Sequence, residues 1–180
     1  MNTKNKSNFS GNYWSGILKY GLLIGLGLSL VVIIRLIINK PIHYPISYSE
    51  YFSLLIFMFI GVLLYRSRLE DGKICFKEAY WVALGSGIIG AIIYGIFIYV
   101  YASFIDSSFQ GRYFDIQRAV EANSNLSDEQ INSIVGPSSI AISSILFTSL
   151  MSIFWGLIVA VFLKNKKKEL KEKEINNVDK

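Results

Sequence analysis

The chain has 180 residues, 52% of them hydrophobic, with a formal net charge of +5 and a mean hydropathy of +0.42. Once its four long apolar runs are assigned, the polar remainder is too short for a separate soluble domain, so one membrane domain over residues 1–180 is expected. The lone cysteine, Cys75, excludes an intramolecular disulfide, and the lone histidine, His43, lacks the Cys/His company that a zinc or iron centre needs.

The first run, Ile17–Ile38, follows Lys4 and Lys6 and has Lys19 near its start. It is long for a signal-peptide core and no small-x-small cleavage site follows it, so it is expected to stay as a span. The others are Ser47–Tyr65, Tyr80–Ile105 and Ile140–Leu163. Each is near the roughly 20 residues with which a helix crosses about 30 Å of hydrocarbon. The expected fold is all-α, an integral membrane bundle of four transmembrane helices. Loops rich in Lys/Arg alternate with poorer ones, which predicts both termini in the cytoplasm.

Arg35, near the end of the first span, and Glu50, near the start of the second, are joined by a short turn with Pro41 and Pro45. They should lie at similar depth and form an interfacial ion pair. The inner loop carries Arg66, Arg68, Lys73 and Lys77 around an Asp71-Gly72 turn. Its Ile74 and Phe76 are expected to anchor at the membrane, with Lys77 and Glu78 at the headgroups.

Small residues recur every fourth position in three spans: Gly21, Gly25 and Ser29; Ala83, Gly87, Ala91 and Gly95; Ser144, Thr148, Ser152, Gly156 and Ala160. Such stripes let helix backbones approach closely, so spans one, three and four should meet. The hydroxyls of Ser144, Thr148 and Ser152 could line a polar path. Bonding to their own backbone within a packed stripe is the preferred reading. Tyr13, Trp14, Tyr20, Tyr44, Tyr48, Tyr51, Tyr65, Tyr80, Trp81, Tyr99, Tyr101 and Phe104 are expected to form belts at the two interfaces.

The outer loop, residues 106–138, is about 33 residues long. Phe109, Tyr113, Ile116 and Val120 follow helical spacing, with Phe114 beside them. Arg112, Asp115, Arg118 and Glu121 can pair locally. Asn123–Leu126 reads as a turn, Ser127-Asp128-Glu129-Gln130 opens a helix with a capping box, and Gly136-Pro137 ends it. Two short helices are expected here, the first able to lie on the interface with its aromatic face buried. They would form a lid over the bundle or, less favoured, a docking surface. The basic tail, residues 164–180, begins with Lys164, Lys166, Lys167 and Lys168. With Arg66, Arg68, Lys73 and Lys77, these are expected to contact lipid headgroups. The positive balance is an orientation signal, and no nucleic-acid partner is expected.

A glycine, Gly72, followed by Phe76-Lys77-Glu78-Ala79-Tyr80 opening a glycine-rich span, resembles the signature of a bacterial membrane family common in Bacteroidota. That family is known as domain of unknown function four-one-nine-nine. Asp106-Ser107-Ser108-Phe109 resembles its Asp-Pro-x-aromatic step, with Ser107 where proline is usual. The resemblance covers Ile17–Leu163, implies four spans and brings no catalytic residues.

No metalloprotease, nucleophile-elbow, P-loop or dinucleotide motif occurs. Asp106, Arg112 and Asp115 are the one set near an interface that could serve a lipid-modifying enzyme. No cofactor is expected. The preferred expectation is a non-enzymatic protein of the bacterial inner membrane, self-associating or a small subunit of an envelope complex. A small oligomeric channel or transport module is the alternative.

Overall fold

The computed structural model describes residues 11–38, 48–69, 72–106, 108–120 and 127–165. Pro41, His43, Tyr44, Pro45, Glu121, the Asn123–Leu126 turn and Lys166, Lys167 and Lys168 lie outside the described residues. Among the described residues six α-helices follow in order: α1 (Gly11–Ile37), α2 (Tyr48–Ser67), α3 (Phe76–Val100), α4 (Phe109–Val120), α5 (Asp128–Val135) and α6 (Pro137–Leu163), with no strand. Four of these described helices are long and apolar enough to cross a membrane: α1, α2, α6 and α3 with its π-helical continuation through Ile105.

All four long helices extend beyond the predicted runs, α3 and α6 for local reasons. Before α3, Cys75 is extended, and Glu78 then stands in the first turn, where the helix dipole favours a carboxylate. Pro137 occupies the first turn of α6, where its missing N–H costs nothing. Gly136 separates α6 from α5, so the Gly-Pro step that ends one helix also starts the next.

Helix α3 is the centre of the bundle. It packs along both α1 and α6, while α2 completes the ring against α1 and α6 and also touches α3. Against α1 it runs parallel in constant register. A Cβ added at Gly21 would meet the Cβ of Ile89 at 2.6 Å, one at Gly25 that of Ile93 at 2.6 Å, and one at Gly85 the Ile17 side chain at 3.0 Å. Against α6 it runs antiparallel: Gly87 faces Ser152, Gly95 faces Ile145, and Gly156 faces Tyr80 and Ala83. The predicted stripe of Ala83, Gly87, Ala91 and Gly95 is therefore the α6 face. A second face, with Gly85, Ile89, Gly90 and Ile93, receives the stripe of α1. Span three thus meets spans one and four, as expected, on two different faces.

The opposite faces are apolar and exposed. Leu18, Leu22, Leu26 and Leu30 form such a row on α1, and Ile88, Ile92 and Ile96 form one on α3. A helix apolar on every side suits a hydrocarbon surrounding. In contrast, α4 and α5 are amphipathic: Phe109, Ile131 and Val135 are buried in the common core, with Tyr113 and Phe114 packed against it. The aromatic face of α4 thus closes on the bundle, as a lid does.

The aromatics expected in the belts divide into two groups. Trp14, Tyr48, Trp81, Tyr99 and Phe104 are exposed, but Tyr20, Tyr65 and Tyr101 are buried. Their helices turn those positions inward.

Candidate functional site

At the end of the bundle closed by α4 and α5, α3 continues into a π-helical turn, Tyr101–Ile105. The wider turn carries the N–H of Asp106 back to the carbonyl of Tyr101, 3.0 Å away. Such turns often mark functional positions. Here it brings the Asp106 carboxylate to the Tyr101 hydroxyl, which donates to Oδ2 at 2.8 Å. Ser108 Oγ donates to Oδ1 at 2.8 Å, and Arg112 Nη2 approaches Oδ2 at 2.6 Å. Arg112 Nη1 reaches Oδ1 at 3.4 Å and also bonds Ser108 Oγ. Burial alone would raise the Asp106 carboxyl; hydrogen bonds from Arg112, Ser108 and Tyr101, with the guanidinium charge, outweigh it and hold the carboxyl at about 2. The same carboxylate pushes Arg112 up, against the opposing effect of its own burial.

Asp106 and Arg112 therefore meet, whereas Asp115 is exposed and outside their cluster. The loop charges do not pair within α4 as expected. Arg112 pairs back to Asp106, and Arg118 pairs across to Asp128 in the first turn of α5. That turn carries the expected capping box: Ser127 N donates to Gln130 Oε1 at 2.8 Å, and Gln130 N to Ser127 Oγ at 3.3 Å.

The Arg35–Glu50 pair lies at the same end. Arg35 Nη1 stands 3.0 Å from Glu50 Oε1, with side-chain exposures of 19% and 2%. Ser49 Oγ donates to Glu50 Oε2 at 3.1 Å. The pair is more buried than an interfacial clamp requires, and the fully buried Tyr94 lies within its electrostatic reach.

Two of the three hydroxyls of the α6 stripe, and one on α1, bond to their own helix. Ser144 donates to Ile140 O and Ser152 to Thr148 O, each at 2.8 Å, and Ser29 to Gly25 O at 2.8 Å. Ser86, which the stripe reading missed, is fully buried and donates to Val82 O at 2.6 Å.

At the opposite end, the α2–α3 loop is stitched to the end of α6. Arg66 Nε donates to Gly72 O at 2.8 Å and Nη1 to Leu163 O at 3.4 Å. Asn165 N donates to Ile74 O at 2.8 Å, and Lys164 Nζ lies 5.7 Å from the Phe76 ring centroid. Arg66 and Lys164 thus hold the protein together, while Arg68, Lys73 and Lys77 are exposed. Ile74 is fully buried in the protein, and Phe76 stacks on Tyr80 at 6.3 Å. Glu78, expected at the headgroups, is 6% exposed and accepts from the Tyr65 hydroxyl at 3.2 Å. Because α3 begins at Phe76, Glu78 is already on a helix and faces α2.

No cluster of His, Cys, Asp and Glu among the described residues could hold a metal ion. Four apolar helices of spanning length, packed through small residues, define a multi-pass membrane protein. Residues 19–165 match the family described as "Protein of unknown function (DUF4199)", and the chain belongs to that family. No curated protein and no solved structure matches it.

Proposed function

We propose that the chain is a non-enzymatic inner-membrane protein that works by association, with itself or as a small subunit of an envelope complex. The observation that carries this reading is the occupation of the Asp106 carboxylate. It accepts from Tyr101, from Ser108 and twice from Arg112, and these bonds leave it too weakly basic for general-base work near neutral pH. The back-bonded Ser144 and Ser152 support packing over a hydroxyl-lined conduit, which weighs against the channel reading. The alternation of Lys/Arg between loops supports both termini in the cytoplasm, with α4 and α5 on the outer side. There the exposed faces of those two helices are the surface available to an envelope partner.

The test is extraction from native bacterial membranes in a lipid-preserving polymer, followed by native mass spectrometry. A reproducible second copy or foreign subunit is expected. A strictly monomeric species without a partner would overturn the reading. Solute flux into liposomes that Thr148→Leu or Gly156→Leu abolishes would replace it with the channel.

A further inference from the structure

A cavity of about 180 Å³ opens at the end of the bundle opposite α4 and α5, between the start of α1 and the end of α2. Ser15, Gly16, Lys19, Tyr20, Tyr65 and Arg68 line it. Two of these side chains are cationic and none is a carboxylate. Gly16 is what lets the wall form: a Cβ there would stand 2.8 Å from the Tyr65 ring. That ring meets Tyr20 edge-on, with centroids 6.4 Å apart. The Tyr65 hydroxyl is committed to Glu78, so Tyr65 supplies wall and not a donor. Tyr20 differs. It is 4% exposed, and its buried hydroxyl has no hydrogen-bond partner among the described residues. A buried hydroxyl is ordinarily satisfied, so one left open on a residue that lines this cavity with two cations points to a ligand that accepts hydrogen bonds.

We propose that this pocket binds a phosphate group. The Arg68 fork can hold two phosphate oxygens, Lys19 supplies a point charge, and Tyr20 donates a hydrogen bond. Exposed Trp14 beside Ser15 marks this as headgroup depth. The phosphate is therefore that of an anionic lipid headgroup or of a soluble phosphate reaching the same mouth. The site does not depend on whether the protein associates with partners, because all its residues come from one chain.

The test uses the full chain in nanodiscs. In discs of phosphatidylcholine doped with phosphatidylglycerol, native mass spectrometry reads the retained anionic lipid. In discs of phosphatidylcholine alone, added inorganic phosphate is read as a rise in melting temperature. Lys19→Gln with Arg68→Gln should cut the response about tenfold or more. Tyr20→Phe keeps the ring and loses no protein partner, so it should fold as the wild type and weaken the response about threefold. Lys73→Gln with Lys77→Gln removes the same charge from exposed positions at the same end and should change little. A response confined to phosphatidylglycerol assigns the lipid, and one to inorganic phosphate assigns the soluble source. Equal responses from the wild type and the pocket variants, or an equal loss in the Lys73/Lys77 control, would overturn the proposal.

Discussion

Replacing Arg35 by Met should be among the most damaging single changes at the α4/α5 end. It would remove the guanidinium paired with Glu50, whose side chain is 2% exposed. Removing one partner of a buried pair typically costs about 3–5 kcal/mol, because the remaining charge keeps its desolvation penalty. Ser49 Oγ, donating at 3.1 Å, would recover part of that cost. Glu50→Gln should be milder, about 1–2 kcal/mol, because Arg35 is 19% exposed and its long stem lets the guanidinium reach polar surroundings. The double variant Arg35→Met/Glu50→Leu should cost less than about 1 kcal/mol, since hydrophobic replacements of a buried pair are often neutral. Reversible denaturation of the four proteins in mixed micelles measures this cycle. Two results would refute the reasoning: Arg35→Met no worse than Glu50→Gln, or a double variant whose cost equals the sum of the singles. Either would mean that Glu50 is held by other contacts and that the pair contributes little.

Three further outcomes are expected. Gly25→Ala should destabilise by about 1–3 kcal/mol in the same assay, because its Cβ would meet Ile93 Cβ at 2.6 Å and the Gly90 carbonyl at 3.0 Å, and the latter cannot rotate away. Gly111→Ala should stabilise by about 0.5–1 kcal/mol, since the site lies inside α4 and an added Cβ meets nothing within 4 Å. The depressed Asp106 carboxyl gives the pH prediction: its stabilisation is full above the ordinary value of 3.8 and is lost as pH falls toward its folded value of about 2. Unfolding midpoints measured across that window should fall less steeply in Asp106→Asn than in the wild type.

What the sequence made legible was local. Four-residue spacing exposed the stripes of α1, α3 and α6, and the capping box and Gly-Pro step set the bounds of α5, because these signals lie within one turn of helix. Which stripe meets which was not legible. A helix apolar on every side, such as α3, offers several small-residue faces, and the Gly85/Gly90 face that receives α1 is no more marked in the sequence than its neighbours. The same ambiguity misplaced the tyrosines. A tyrosine near a span end suits a headgroup or an interior donor equally well, and only the rotation of its helix decides between Trp81 outside and Tyr65 inside. Glu78 went unseen as a buried group because α3 starts one turn earlier than its apolar run.

The two ends of the bundle differ in what their polar groups still lack. Beside α4, a π-helical turn delivers Asp106 to three donors and the charge is spent within the protein. At the opposite end, Glu78 accepts the hydrogen bond of the Tyr65 hydroxyl, and the Tyr20 hydroxyl, on a residue that shares a cavity lining with Lys19 and Arg68, has no acceptor among the described residues. Unused hydrogen-bonding capacity, more than charge itself, distinguishes a group that binds from one that holds the fold. By that measure the Tyr20 hydroxyl at the basic end is open to a small ligand, whereas at the α4/α5 end Arg112 Nε also lacks a partner among the described residues, but on a guanidinium already paired with Asp106.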